Sequence, residues 1–271
     1  MGSDDTGFSR WDARLMWARK RIRGETALAV ADALVREGDV VVDVGADWGF
    51  YTVRLAELVG PAGCVHAFEP NPRTRANLDA LVAAERHVVV HPIALSDQVT
   101  TAELHVPVED GLLLCALGSL SPHHGVPCQT VAVETATLDE SLGRHAGRVA
   151  FIKCDVEGHE LAVLRGAATT LTSARPTLLV EIEHRHAGER MSQTFDYLAD
   201  VGYSAWALAP AGILPIEQFD LERDQLAYLG GGLQADMPPD YVHDFLFTPP
   251  GQDRPSVASS RATHPRAASQ E

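Results

Sequence analysis

Three short segments place chemically useful side chains where the chain passes from one regular element to the next. In VVVDVGADWGFYT, Asp43, Gly45, Asp47 and Gly49 lie between an apolar run and a helical one. Glycine at such a junction turns the chain and lets backbone approach a ligand closely. A dinucleotide fingerprint would need glycines at 45, 47 and 50, but the chain carries Asp47 and Phe50 there. A carboxylate at 47 would occupy the place of a pyrophosphate and repel it. S-adenosylmethionine has no phosphate and brings a sulfonium and an ammonium, which an acidic loop attracts. The loop therefore favours that methyl donor over NAD, although a plain strand-to-helix turn can carry the same DxGxxxG spacing.

The partners of this loop come from later segments. Glu69, followed by Pro70 in CVHAFEPN, ends the next apolar run, where an acid can accept both hydroxyls of a ribose. HPIALSD offers Ala94 and Leu95 to flank an adenine, and Ser96 or Asp97 to bond its edge. A Ser-Asp turn without a ligand is the bland alternative. In FIKCDVEGHE, Asp155, Glu157 and His159 gather at one strand exit, suited to orienting a hydroxyl, removing its proton or holding a divalent cation. Asp155 or Glu157 could instead cap the following helix. VEIEHRH adds Glu181, Glu183, His184 and His186, at a spacing that matches no zinc signature. Asp155, His159 and His184, in that order, are the candidates to orient or deprotonate an acceptor. A metal-free site is the preferred reading, with Mg²⁺ at Asp155 and Glu181 as the alternative.

These residues need a βα framework to bring them to one edge. Val40 to Val44 reads as a strand buried on both faces, Phe50 to Val59 as its crossover helix, and Cys64 to Phe68 as the second strand. Asn71-Pro72 opens a helix. Val88 to Val90, extending toward Leu95, is a third strand, Val149 to Cys154 a fourth and Thr177 to Ile182 a fifth, with a helix over Glu160 to Leu171 between the last two. Met191 to Val201 is a helix, Tyr203 to Ala209 a strand and Asp244 to Thr248 the last strand. Residues 1–37 form a leading helical segment, with Phe8, Trp11, Leu15, Ala18 and Ile22 at helical spacing. Residues 38–249 make the α/β domain. An insertion at about 100–138 carries two alternating strands and a Gly/Pro/His-rich loop, and its Leu112 to Leu120 stretch, with Trp11 and Trp17, suggests an acceptor lid. Gly230 to Gly232 mark a flexible loop, and residues 250–271 a disordered tail.

Composition narrows the classes further. The chain has 271 residues, 45% hydrophobic and 22% charged, the balance of one globular domain with additions, and a net charge of −15. Such an acidic surface repels phosphate backbones and anionic headgroups, so neither nucleic acid nor membrane is the expected partner. Cys64, Cys115, Cys128 and Cys154 form no CxxC pair, and MGSDDTGFSR lacks the apolar core of a signal peptide. A cytoplasmic protein with a small-molecule acceptor is expected; a homodimer is allowed.

Taken in order, VDVGADWGFYT, AFEPNP, IALSD, TLDE, FIKCDVEGHELAVLRGA and RPTLLVEIE make the chain resemble the FkbM-type methyltransferase family from about Val41 to Glu183. The resemblance implies a class I methyltransferase fold: a Rossmann-like α/β three-layer sandwich on a seven-stranded, mostly parallel sheet with an antiparallel last strand. It also implies methyl transfer from S-adenosyl-L-methionine, often to a hydroxyl of a sugar or secondary metabolite. Gly45, Gly49, Glu69 and Asp155 match the family's cofactor-side motifs. Asp47 stands where Asn is usual, Trp48 where a smaller residue is frequent, and His159 where Ala or Tyr is common. N-methylation on the same fold, and a nucleotide-binding module without catalysis, remain the alternatives.

Overall fold

The computed structural model describes residues 8–23, 25–122, 125–229, 238, 240–252 and 254. Its strands are β1 Val40–Val44, β2 Cys64–Phe68, β3 Val88–His91, β4 Ala94–Leu95, β5 Thr101–Glu109, β6 Leu112–Leu113, β7 Cys128–Ala136, β8 Val149–Cys154, β9 Thr177–Glu181, β10 Ser204–Ala209, β11 Gly212–Pro215 and β12 Asp244–Thr248. The main sheet runs β11-β10-β12-β9-β8-β1-β2-β3. β3, β2, β1, β8 and β9 are mutually parallel, and β12 enters antiparallel between β9 and β10.

Alternation along a strand sends successive side chains to opposite faces, so the apolar runs read from the sequence require cover on both sides. Val40, Val42 and Val44 pack with Leu138, Leu164, Leu171 and Leu198 on one face, while Val41 packs with Leu28, Leu55 and Trp17 on the other. Helix Arg10–Arg23 lies on helix Phe50–Val59, where the Trp17 ring contacts Phe50 and Tyr51 at centroid distances of 5.2 and 5.3 Å. No helix among the described residues is long and apolar enough to cross a membrane.

The fold departs from the expected one in three places. It has eight strands, because the two residues Pro210-Ala211 turn β10 back into β11 and add an edge. The third strand stops at His91: Pro92 offers no N–H to the ladder, and β4 leaves the main sheet to pair with β7. The helix expected over Glu160 to Leu171 is two, Glu160–Arg165 and Ala168–Ser173, divided at Gly166, whose missing Cβ would stand 2.0 Å from the Ser96 carbonyl oxygen. The insertion supplies β5, β6 and β7, which join β4 in a separate four-stranded sheet, β4-β7-β5-β6. Gly230 to Gly232 and almost all of the expected C-terminal tail lie outside the described residues.

Candidate active site

Register decides what meets at the carboxyl edge of the sheet. Val44 is level with Phe68 on one side and Cys154 on the other, Cys154 is level with Val180, and Glu181 faces Asp244. The residues that follow, Gly45, Glu69 and Asp155, therefore emerge side by side with Glu181. Because β12 runs the other way, its first residue and the preceding His243 reach the same edge. Together they border a cavity of about 300 Å³, the lower end of the range for small-ligand pockets. Cys115 to Gly118 and Leu120 of the insertion, with Lys20 and Glu25 of the N-terminal segment, complete its wall.

The glycine loop is built by close approach of backbone to backbone. Gly45 has φ +73°, and a Cβ there would lie 1.8 Å from the carbonyl oxygen of Asp155. The space that glycine preserves at 45 thus belongs to the neighbouring strand exit rather than to a ligand. Gly49, at φ +89°, packs against Leu78, where a Cβ would fall 2.8 Å from Cδ1, and it does not line the cavity. Asp47 adopts a left-handed φ of 47° that is unusual for a residue with a Cβ. Its backbone N–H donates to Glu69 Oε2 at 2.8 Å, and the N–H of Asn71 donates to Glu69 Oε1 at 2.8 Å. One buried carboxylate therefore holds both the loop and the turn after β2. Burial, strengthened by the Glu69 charge, lifts the Asp47 carboxyl to about 7. Its Oδ1 is buried without a hydrogen-bond partner among the described residues.

Asp43 lies beneath this loop and outside the cavity wall. It is fully buried, accepts the Thr52 hydroxyl at 2.5 Å and sits 3.8 Å from Lys153 Nζ. Lys153 also donates to the Gly45 carbonyl at 3.0 Å and lies 3.3 Å from Asp155 Oδ2. Burial opposes its charge, but Asp155, Asp43 and Glu181 outweigh burial and hold its pKa above the ordinary lysine value.

At the fourth-strand exit, Glu157 and Gly158 are left-handed at φ 54° and 94°. Ser119 Oγ donates to the Glu157 carbonyl at 2.7 Å and Ser121 Oγ to the Gly158 carbonyl at 3.2 Å, so the insertion fixes this turn. Glu157 Oε2 meets His186 Nε2 at 2.9 Å. His159 lines the cavity, with Nε2 3.0 Å from Ser96 Oγ, which in turn lies 3.3 Å from Asp97 Oδ1. Burial depresses the His159 pKa, against the pull of Asp97. His243 stands between Glu181 at 3.4 Å and Asp244 at 3.5 Å. Burial disfavours its charge, yet these carboxylates raise its pKa to about 10.

Of the residues expected to hold a cofactor, Gly45, Asp47, Glu69, Pro70, Ala94 and Asp155 border the cavity. Asp43, Gly49, Ser96 and Asp97 do not: the first two support the loop, Ser96 reaches the cavity only through His159, and Asp97 is exposed. His184 requires correction. The chain turns at once into helix His184–Ala187, with the His184 N–H bound to Gln225 Oε1 at 2.7 Å, and its side chain borders a separate groove with Met191 and Phe195. Asp155 and Glu181, the pair considered for Mg²⁺, each face a protein cation, Lys153 and His243 respectively. Of the suggested lid, Cys115 to Gly118 and Leu120 border the cavity; Trp17 is core, and Trp11 is 67% exposed.

Five parallel strands continued by the reversed β12 slotted between β9 and β10, with a glycine loop and an acid at the first two strand exits, define a class I methyltransferase architecture. The methyltransferase FkbM domain matches residues 43–205, and the chain belongs to that family, whose methyl donor is S-adenosyl-L-methionine. Among solved structures, a methyltransferase FkbM from Methylobacillus flagellatus is similar at 16% identity and TM-score 0.48, over 77% of this chain and 43% of that one. This chain thus spans less than half of that relative. An Aeropyrum pernix fibrillarin with natively bound S-adenosyl-L-methionine is similar at 15% identity and TM-score 0.46, over 81% of this chain and 73% of that one. A Thermotoga maritima SAM-dependent O-methyltransferase is similar at 12% identity and TM-score 0.44, over 92% and 73% respectively. The search of curated proteins gave no match.

Glu69→Ala is expected to weaken S-adenosylhomocysteine binding by about 1.5–3 kcal/mol, since a charged acceptor is lost and two loop N–H groups lose their partner. Calorimetry checks this alongside the thermal midpoint. An unchanged Kd in a folded variant removes Glu69 from the site.

Proposed function

We propose that this protein methylates a hydroxyl of a small molecule, a sugar or secondary metabolite, using S-adenosyl-L-methionine. The observation that carries the reading is the convergence of two separate motifs, the Asp47–Glu69 loop and the Asp155–His159 exit, on one cavity. The donor set suits the cofactor. Asp47 offers a buried, unsatisfied carboxyl oxygen where a cationic ligand gains most. Glu69 has acceptor capacity left for ribose hydroxyls after binding two N–H groups, and Ala94 offers an apolar face to an adenine. When bound, S-adenosylmethionine supplies a methyl group on a sulfonium, an excellent leaving group.

The protein's own part is to hold the acceptor in line and manage its proton. Asp155, facing the Lys153 ammonium, accepts a hydrogen bond from the acceptor hydroxyl and orients it. His159 takes the proton, because burial keeps its imidazole neutral. If Ser96 donates to Asp97, it accepts from His159 Nε2–H, which leaves Nδ1 as the acceptor. A mass-shift screen of hydroxylated acceptors with S-adenosylmethionine tests the reading; products methylated only on nitrogen would overturn the choice of oxygen.

A pH dependence follows from Asp47. Its neighbours are Glu69, Asp155 and Lys153, and its pKa of about 7 leaves it largely protonated at pH 6. The ligand's ammonium needs the carboxylate, so S-adenosylhomocysteine affinity should rise up to about eightfold from pH 6 to 7.5. Asp47→Asn should flatten that rise. A wild-type Kd constant across the interval would separate Asp47 from the ligand's ammonium.

A further inference from the structure

At the opposite end of β2 from Glu69, we infer a second site that binds a zinc ion through Cys64, His66 and His145. Cys64 and His66 are two residues apart on one strand and so share a face. His145 reaches them from the 3₁₀ segment Gly143–Arg148 that leads into β8. One donor atom from each of the three lies within 4.8 Å of the others.

The geometry and chemistry both suit zinc. Cys64 Sγ and His66 Nε2 are 3.5 Å apart. A tetrahedral zinc with bonds of about 2.3 Å to sulfur and about 2.05 Å to nitrogen separates those donors by about 3.6 Å. The His66 ring centroid is 5.2 Å from that of His145. His145 Nδ1 is buried and has no hydrogen-bond partner among the described residues. His66 Nδ1 lies 3.0 Å from His91 Nε2, and the His91 ring stacks on Phe68 with centroids 4.3 Å apart. A hydrogen bond from Nδ1 to His91 leaves the His66 Nε2 lone pair directed toward Cys64; an outer hydrogen bond orients zinc-ligating histidines in the same way, here with an imidazole as the acceptor. One sulfur and two imidazoles, without a carboxylate, select a borderline metal over Mg²⁺ or Ca²⁺. On binding, zinc displaces the Cys64 thiol proton to solvent, and a water completes the tetrahedron. The metal would tie the segment entering β8 to β2, far from the Asp155 exit.

The test uses the full chain, stripped with chelator and titrated with Zn²⁺ against a chromophoric competitor. One equivalent should bind, and Cys64→Ser and His145→Gln should each weaken it at least tenfold. Co²⁺ should give a thiolate charge-transfer band that Cys64→Ser removes. Should a variant fold poorly, alkylation of the wild type mapped by mass spectrometry replaces it, with Zn²⁺ protecting Cys64. Failure to bind one equivalent, equal binding by the folded variants, or no protection of Cys64 would each overturn the site. The second result would move the metal to one of two other clusters whose donor atoms also converge within 4.8 Å, Glu157, Glu183 and His186 or Glu181, Glu183 and His243.

Discussion

Lys153→Met is expected to destabilise the protein by about 3–5 kcal/mol, the range for removing one partner from a buried charge group. Met keeps the length of the side chain, so the loss is chiefly electrostatic. Lys153 is 6% exposed and stands between Asp43, which is fully buried, and Asp155. Without the ammonium, Asp43 keeps the burial that already raises its pKa and loses the neighbour that lowers it. The Gly45 carbonyl loses its donor as well. The pH dependence follows in sign. A group whose folded pKa lies above its unfolded value leaves stability intact below the unfolded value, about 3.9 for Asp, and removes it as pH rises through the folded value. The variant's deficit should therefore be smaller at pH 5 than at pH 8, measured by urea unfolding of both proteins at each pH. A deficit equal at both would mean that Lys153 contributes packing alone. With total stabilities commonly 5–15 kcal/mol, the variant would stand near the folding margin.

This lysine also shows what was legible in the sequence and what was not. Strand identity followed from apolar runs, and Gly45, Glu69 and Asp155 could be placed at one edge because the end of a parallel strand is a fixed place in such a sheet. VVVDV and FIKC each carry one charge in an otherwise apolar strand, and the register sets Asp43 opposite Lys153. That pairing was readable in principle, since two lone charges in adjacent buried strands need each other. His243 and Asp244 were missed for a topological reason: β12 is reversed, so its beginning, not its end, reaches the site. His184 misled because proximity to Glu181 in sequence says nothing once a helix starts; Gln225, 41 residues away, fixes its backbone. Gly45 was read as bringing backbone close to a ligand, and only the fold reveals that the Asp155 carbonyl fills the space. Cys64 was weighed only as one of four cysteines without a CxxC pair, and His66 lay unremarked beside it, because their proposed partner, His145, comes from a segment with no motif of its own.

The reaction itself is tested most sharply at Asp155. Its carboxylate borders the cavity, is 27% exposed, and is held by Lys153 at 3.3 Å on its buried side. Its backbone N–H donates to the Val44 carbonyl at 3.1 Å, which anchors it whatever the side chain carries. Asp155→Asn keeps the shape and removes the charge, so loop geometry and the Glu69 contacts should persist. Cofactor affinity is then expected to stay within a few-fold of wild type while turnover falls by about a hundredfold or more, the scale of a positioned acid/base group. His159→Gln should act on the same step with a different signature: it removes the proposed proton acceptor, so the loss should shrink when pH is raised and the methyl acceptor ionises without help. Chelation separates the remaining roles. Turnover indifferent to chelator leaves Asp155 orienting the hydroxyl directly, whereas inhibition reversed by Mg²⁺ would place a hard cation among these oxygens. If Asp155→Asn loses cofactor and turnover together, the carboxylate belongs to the methionine end of the cavity, and His159 alone carries the catalytic assignment.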